Sequence, residues 1–276
     1  MEKIQQALAK ARAERNDPGA TVAPMRREAI APAFETSLDV AEAWHALPEL
    51  TLDAGRLKEN RILALEGGRE ATDIDMMRTR VLQQMRDNGW RRLAITSPTA
   101  GCGKSTIALN LALSLHRQSD LRIILMELDL HRPSLADMVG LTEEMSFAKV
   151  IGGESDFASN AVRYSDNLAI SVNQRPYKNA AELLGGRTMP QVLAEIEENY
   201  APDVMLFDTP PMLVTDDMMA FARHMDCVLL VAGAEMTTTK EVDVCERDLA
   251  AQTNVMGVIV NKCRYMGPEY GYEYYK

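Results

Sequence analysis

The chain has 276 residues, of which 46% are hydrophobic and 25% are charged, as expected for a globular protein with a packed core. There are 30 lysine and arginine residues against 40 aspartate and glutamate residues, so the net charge of -10 disfavours a generally basic nucleic-acid-binding protein. The four cysteines lie far apart and form no metal-ligand or disulfide pattern. No apolar run approaches the roughly 18 residues of a membrane span. The N-terminus lacks the apolar core of a signal peptide, so we expect a cytoplasmic protein.

The first 70 residues carry few signs of a folded domain. Residues 2–15 place apolar side chains at helical spacing among charged ones, which predicts a short amphipathic helix. The stretch from 16 to 70 contains four prolines and no long periodic pattern, so we interpret it as a mostly disordered linker. The N-terminal helix is either a frayed tail or a docking segment for a partner, because so short a helix is marginal alone.

From residue 71 onwards, short apolar runs alternate with segments of helical periodicity. The helical segments are residues 71–86, 105–116, 180–199 and 239–252. The runs that predict strands are residues 93–96, 123–126, 168–172, 204–207, 228–231 and 257–260. Near-continuous apolar strands separated by helices are typical of an α/β fold, with a mostly parallel sheet and helices on both faces. In such sheets the ligand binds beyond the carboxyl ends of the strands.

A glycine-rich segment with the spacing of a phosphate loop follows the first predicted strand. Gly101 and Gly103 would let backbone N–H groups approach phosphate oxygens, and a helix begins directly behind them. The pattern predicts that Lys104 reaches the β- and γ-phosphates of a nucleotide and that the Ser105 hydroxyl binds Mg²⁺. The candidate nucleotide-binding residues of this loop are Ala100, Gly101, Cys102, Gly103, Lys104, Ser105 and Thr106.

Acidic residues follow two further predicted strands. Glu127 and Asp129 stand two residues apart, so both point to the same side of an extended chain. Asp208 ends a fully apolar strand, which is the Walker B pattern for holding Mg²⁺. We therefore expect Glu127 and Asp129 to face the nucleotide, and Asp208 to join Ser105 as a magnesium ligand beside the phosphate loop.

Five of the eight tyrosines stand in the last twelve residues. They are Tyr265, Tyr270, Tyr272, Tyr274 and Tyr275. Glycine and proline among them suit an extended, mobile segment. Alone, such a tail is as readily an aromatic interaction segment, but beside a phosphate loop it becomes a candidate set of phosphoacceptors.

Taken together, these motifs resemble those of the bacterial tyrosine kinases of capsule and exopolysaccharide synthesis, over about residues 70–276. That family combines Walker A, a second acidic motif of the form Asp-x-Asp-x-Arg (Walker A′), Walker B of the form Asp-x-x-Pro, and a C-terminal tyrosine cluster. The resemblance implies a P-loop NTPase fold, with a kinase domain at 71–262 and a mobile tail at 263–276. Walker A′ departs from the family pattern twice, with Glu127 for the first aspartate and His131 for the arginine.

The family's oligomerisation motif, Glu-x-x-Arg-x-x-Arg on the helix before the phosphate loop, is also incomplete. Asp75 and Arg78 fit its first half, but Val81 replaces the second arginine. The resemblance implies a homo-oligomer, and this departure makes a ring-shaped octamer a weaker expectation.

The resemblance further implies an ATP- and Mg²⁺-dependent autokinase. Its catalytic residues would be Lys104, Glu127, Asp129 and Asp208. Glu127 would take the proton from a tyrosine on a neighbouring subunit's tail, while Asp129 and Asp208 help to hold Mg²⁺. Asn261 follows the last predicted strand, where related ATPases place an asparagine that contacts adenine.

The implied partners are other copies of the chain, protein-tyrosine substrates and a separate membrane chain-length-determinant protein. That activator would recruit the kinase to the inner face of the plasma membrane, where it regulates polysaccharide polymerisation and export. We expect no nucleic-acid partner.

Two other functions stay open. One is a nucleotide-switch ATPase of Min or Par type, which Thr99 disfavours because those proteins carry a lysine at that position. The other is a catalytically weak ATP-binding module that assembles on a membrane partner. The departures at Glu127 and His131 keep this second alternative open.

Overall fold

In the computed structural model, which describes residues 38–264, seven strands form one sheet with helices packed on both faces. The strands are β1 (Arg92–Thr96), β2 (Ile123–Glu127), β3 (Val162–Ser165), β4 (Leu168–Ser171), β5 (Val204–Asp208), β6 (Cys227–Gly233) and β7 (Asn254–Asn261). The α-helices are α1 (Leu38–Ala46), α2 (Ala54–Glu59), α3 (Thr72–Asn88), α4 (Lys104–His116), α5 (Leu135–Val139), α6 (Phe147–Ile151), α7 (Ala180–Leu184), α8 (Thr188–Tyr200), α9 (Asp217–Phe221) and α10 (Thr239–Ala250). The helix predicted at 2–15 and the five tail tyrosines lie outside the described residues.

The strand order is β3-β4-β2-β5-β1-β6-β7, and every neighbouring pair is parallel except β3 with β4. This confirms the predicted mostly parallel α/β sheet. The register aligns Ile95 and Glu127 with Asp208, so β1, β2 and β5 end at one edge. The phosphate loop and both acidic strand ends therefore meet where the fold predicts a ligand.

Each face of the sheet carries its own apolar core. One core lies under α2 to α5, and α4 is so fully enclosed that every residue from Ile107 to Leu115 is buried. The other core lies under α1 and α6 to α10, and it includes the aromatic rings of Trp44, Phe147 and Phe221. Burial of each large apolar side chain stabilises the fold by about 1.5–3 kcal/mol. The two cores therefore hold the sheet, and with it the strand ends, in place.

Residues 38–64 pack against the sheet domain, so the predicted start of the folded domain at residue 71 is too late. Trp44 is 2% exposed, packs edge-on against Tyr200, and donates its indole N–H to the Tyr200 carbonyl at 2.8 Å. Leu57 and Ile62 are buried in the opposite core. The sequence predicts a linker here because α1 and α2 have only nine and six residues, too few for a clear helical period.

Two further elements differ from the sequence prediction. The strand β3 was not predicted, because its four residues include arginine and tyrosine and lack a continuous apolar pattern. The helix predicted over 180–199 is two helices, α7 and α8, separated at Gly185 and Gly186. Between residues 38 and 264, the structure contains no helix long and apolar enough to cross a membrane.

Candidate active site at the phosphate loop

The phosphate loop connects β1 to the buried helix α4. Gly101 and Gly103 have φ angles of +82° and +93°, in the left-handed region that favours glycine. A Cβ atom on Gly103 would also overlap the side-chain nitrogen of Asn261. Glycine at this position therefore meets two requirements at once, and the N-terminus of α4 lies directly behind it to favour an anion.

Hydrogen bonds hold the segment after β5 against the front of the loop. The carbonyls of Ser97 and Pro98 accept the N–H groups of Met212 and Leu213 at 2.8 and 3.0 Å. The Asp208 carbonyl accepts the N–H groups of both Leu128 and Asp129, at 2.7 and 3.1 Å. The three segments that carry the predicted motifs are thus joined through their backbones.

The predicted lysine, serine and two aspartates come together in the structure. Lys104 Nζ donates to Asp129 Oδ2 at 2.7 Å and lies 3.7 Å from Asp208 Oδ1. It is also 3.4 Å from the Ser105 hydroxyl. Burial alone lowers the pKa of Lys104, but the Asp208 and Asp129 carboxylates outweigh it and raise the pKa above its usual value. The ammonium therefore stays charged at neutral pH.

Asp208 is completely buried, and neither of its carboxylate oxygens has a hydrogen-bond partner. Burial raises the pKa of its carboxyl, and the nearby Lys104 ammonium and Ser105 hydroxyl only partly oppose this. Three buried carboxylates, Glu127, Asp129 and Asp208, share the single ammonium of Lys104. An orphaned buried oxygen pair in a site short of positive charge fits a divalent cation.

The chain by itself supplies only part of a metal site. Among residues 38–264 there is no group of three or more His, Cys, Asp or Glu side chains arranged to hold a metal ion. This agrees with the usual coordination of Mg²⁺ in nucleotide sites, where one or two carboxylates bind the ion and phosphate oxygens and water complete its coordination shell.

Glu127 is also buried, but its carboxylate is occupied by backbone groups. One oxygen accepts the N–H groups of Ser134 and Leu135, and the other accepts the N–H of Asn173 at 2.9 Å. Burial raises the pKa of Glu127 to about 7, although these hydrogen bonds oppose the shift. Glu127 thus ties the start of α5 to the end of β4, and its role as a catalytic base stays a prediction.

A cavity of about 350 Å³ lies over the phosphate loop and is called the cleft below. It is lined by Ala100, Gly101, Gly103, Lys104, Ser105, Thr106, Asp129, His131, Arg132, Ser134, Met138, Pro210, Pro211, Val214 and Thr215. Asp129 is therefore the acidic residue that reaches this space, whereas Glu127 and Asp208 lie behind its wall. A second cavity of about 340 Å³ runs along α8 and contains none of the predicted site residues.

Asp217 is a site residue that the sequence reasoning missed. Its side chain is 1% exposed, and its Oδ2 lies 3.0 Å from His131 Nε2 at the rim of the cleft. The buried carboxylate therefore lies beside the imidazole that replaces the arginine of Walker A′, although neither of its oxygens has a hydrogen-bond partner in the described part of the chain. The only signal was an Asp-Asp pair at the start of α9, which equally suits the N-terminus of any helix.

Asn261 and the loop cysteine also meet in the structure. The side-chain amide of Asn261 donates to the Cys102 carbonyl at 2.9 Å. The Cys102 thiol lies 3.5 Å from the Thr237 hydroxyl and is 1% exposed. Asn261 thus contacts the phosphate loop itself, and its predicted contact with adenine is not tested by this arrangement.

Comparison with known proteins agrees with this geometry. A family model described as "ParA: NUBPL iron-transfer P-loop NTPase" matches residues 90–275, so the chain belongs to the P-loop NTPases of that family. The tyrosine-protein kinase YwqD of Bacillus subtilis is 30% identical over 190 residues, which cover 67% of this chain and 78% of YwqD. This chain is a member of the bacterial tyrosine kinase family.

Other members of the kinase family are longer. The tyrosine-protein kinase Wzc of Salmonella typhi is 26% identical over 80% of this chain and 31% of its own length. The tyrosine-protein kinase Ptk of Acinetobacter johnsonii is 26% identical over 83% of this chain and 32% of its own length. The chain therefore spans about a third of these relatives.

Solved kinase domains share the fold. The kinase domain of VpsO is 26% identical with a TM-score of 0.62, covering 69% of this chain and 93% of that domain. The kinase domain of Escherichia coli ETK, at 24% identity, superposes with a TM-score of 0.67 over 82% of this chain and 94% of that domain. MinD of Pyrococcus horikoshii, solved with Mg-ADP, shares the fold at 19% identity and a TM-score of 0.54 over 65% of this chain and 74% of MinD.

Proposed function

We propose that the chain is an ATP-dependent protein-tyrosine autokinase that phosphorylates its tail tyrosines in trans. The observation that carries the proposal is the buried cluster of Lys104, Asp129 and orphaned Asp208 beside the phosphate loop. The family membership supports this function, and the five tyrosines that begin four residues after Asn261 supply acceptors.

In this proposal the loop amides and Lys104 bind the phosphates, with Asn261 as a further nucleotide contact. Ser105, Asp129 and Asp208 would hold Mg²⁺. When bound, Mg·ATP supplies the γ-phosphoryl group and the positive charge that balances its oxygens. Lys104 leaves its ion pair with Asp129 to contact phosphate, which frees a carboxylate at the wall of the cleft.

The acceptor tyrosine, with a pKa near 10, needs a base. The family resemblance assigns this role to Glu127. The geometry offers Asp129 as an alternative, because a base must come within hydrogen-bond reach of the hydroxyl and Asp129 lines the cleft. In that role Asp129 would not also hold Mg²⁺, which would be left to Ser105 and Asp208. In this version Glu127 is a positioning residue that holds the backbone around Walker A′ through its three hydrogen bonds.

The test is phosphotyrosine formation by the purified chain with Mg·ATP, read by mass spectrometry. Lys104→Met is expected to reduce it by about 10²-fold or more, because the phosphate contact is lost. Replacement of all five tail tyrosines by phenylalanine should remove the label. Lys149→Met, at an exposed position on α6, is the matched control and should leave it unchanged.

Undiminished phosphotyrosine in Lys104→Met would overturn the autokinase proposal. The same assay tests the base role of Glu127: Glu127→Gln should retain measurable transfer. Asp129→Asn should abolish transfer whether Asp129 acts as the base or as a metal ligand. Loss of transfer in a Glu127→Gln chain of unchanged stability would return the base role to Glu127.

The proposed partners follow from the family. They are other copies of the chain, protein-tyrosine substrates and a separate membrane chain-length-determinant protein that activates the kinase at the inner face of the plasma membrane. The pathway would be the polymerisation and export of capsule or exopolysaccharide. Addition of the cytoplasmic segment of such a membrane protein should raise the phosphotyrosine yield, and an unchanged yield would remove this activator from the proposal.

A nucleotide-switch ATPase of Min or Par type is the second candidate, because the matching family model carries the ParA name. Thr99 argues against it, since this side chain lies 3.7 Å from the Cys102 thiol where those proteins carry a lysine. Phosphate release without phosphotyrosine would favour the switch, and nucleotide binding without either product would favour an ATP-binding module.

A further inference from the structure

Asn261 connects the last strand of the sheet to the phosphate loop. Its side-chain nitrogen donates to the Cys102 carbonyl at 2.9 Å, and its own carbonyl accepts the Ala234 N–H at 2.8 Å. The same nitrogen occupies the space where a side chain on Gly103 would begin. The residue is therefore fixed on one side to the turn after β6 and on the other to the loop.

The contact controls the orientation of one peptide unit. The described peptide bonds are trans, so the Cys102 carbonyl and the Gly103 N–H, which belong to one planar unit, point in opposite directions. Gly103 lines the cleft, whereas Cys102 is buried behind it. If this unit turned over, a carbonyl oxygen instead of an N–H would face the phosphates, which would oppose anion binding.

We propose that Asn261 is a positioning residue that holds the Cys102–Gly103 peptide with its N–H toward the phosphates. The inference rests on the nucleotide site of the proposed function. It differs from a contact with adenine, because it acts on the phosphate end of any nucleotide. It requires no kinase activity, so it can fail or succeed independently of the autokinase proposal.

The experiment compares three ligands that share phosphates and differ in the base. Dissociation constants are measured by calorimetry for Mg·ADP, Mg·GDP and Mg·tripolyphosphate, which has no base. Asn261→Ala and Asn261→Asp are each expected to weaken all three by about 3- to 10-fold, the equivalent of one hydrogen bond. A loss confined to ADP, or no loss at all, would overturn the proposal.

Asn254 provides a matched control at the opposite end of β7. Its side-chain amide donates to the Asp226 carbonyl at 2.8 Å, in the same kind of hydrogen bond but far from the loop. Asn254→Ala should leave the three dissociation constants unchanged even where it lowers the melting temperature. An equal loss of affinity in Asn254→Ala would show that β7 acts only through general stability.

A second measurement needs no ligand. Amide hydrogen exchange at Gly103 and Lys104 should accelerate in the nucleotide-free Asn261→Ala chain and stay unchanged in Asn254→Ala. Unchanged exchange in Asn261→Ala would contradict a role in holding the loop.

Discussion

At the scale of single residues, Asp208 shows the conflict between stability and ligand binding. A wholly buried carboxylate without a hydrogen bond is costly, and the ammonium of Lys104 at 3.7 Å offsets only part of that cost. Such a group is stable only because the surrounding sheet holds it in place. The same orphaned oxygens suit a divalent cation, so in the proposed function the nucleotide-free protein carries a cost that Mg²⁺ binding would remove.

Replacement of Asp208 by asparagine is therefore expected to stabilise the nucleotide-free chain. The neutral amide removes the buried charge, and the free energy of unfolding should rise by about 1–3 kcal/mol. The affinity for Mg·ADP should fall, because a proposed metal ligand is lost. Thermal unfolding and calorimetry on one preparation check both parts. Asp203→Asn, at an exposed carboxylate before the same strand, is the control and should not raise stability.

The placement of the motif residues could be predicted because their positions along the chain follow directly from the strand ends; their chemical roles stay predictions. Lys104, Asp129 and Asp208 needed only strand ends and a glycine-rich turn. Asp217 and Asn173 could not be predicted, because their partners, His131 and Glu127, lie far away in the sequence. Nothing local distinguishes a buried aspartate that lies beside a distant histidine from an acidic residue at the start of a helix.

At the scale of elements, the contact between α3 and α4 shows where the side chains of the incomplete oligomerisation motif bind. Asp75 accepts hydrogen bonds from the Ser114 hydroxyl at 2.6 Å and from Arg117 at 2.8 and 3.0 Å. Arg78 donates to the Ser114 carbonyl at 3.2 Å, and Val81 is buried in the core. These side chains join two helices of one chain, which leaves less of the motif for a neighbouring subunit.

Asp75→Asn is expected to lower the free energy of unfolding by about 1–2 kcal/mol at pH 7, because charge-assisted hydrogen bonds are lost. Burial alone raises the pKa of Asp75, but Ser114 and the two arginines lower it below its usual 3.8. The contribution is therefore present above pH 3.8 and disappears as the pH falls further.

Denaturant titrations of both proteins at pH 7 and below pH 3.8 measure this difference. Asp87→Asn, at an exposed position near the end of the same helix, is the control. A gap between wild type and Asp75→Asn that stays constant across pH would contradict a role for the ionised carboxylate.

At the scale of the whole molecule, residues 38–64 are part of the folded body. The central strands could be predicted because they are buried on both faces and read as unbroken apolar runs. The short helices α1 and α2 could not be predicted, because their apolar residues, such as Trp44 and Leu57, are buried only through contacts with residues far away in the sequence. A distant polar contact also holds the end of this segment: the side chain of Asn110, on α4, accepts the N–H groups of Leu63 and Ala64 at 2.8 and 3.2 Å.

Trp44→Ala tests this correction. Loss of a buried indole is expected to lower the free energy of unfolding by about 3–5 kcal/mol. Trp90, the other tryptophan, is only partly buried, and Trp90→Ala should cost clearly less. Unchanged stability in Trp44→Ala, measured by denaturant unfolding, would restore the boundary at residue 70.

The two edge strands of the sheet, β3 and β7, differ in whether other backbone segments cover them. The edge at β3 is covered by residues 48–50, whose backbone exchanges hydrogen bonds with Arg163 at 2.7 and 2.8 Å. The edge at β7 pairs only with β6 among the described residues, carries no charge or proline, and exposes Val258 and Val260. A sheet with one open edge can be extended from one side only. Considering only residues 38–264, pairing of two copies through β7 would therefore give a closed antiparallel pair, with no second open edge for a third copy.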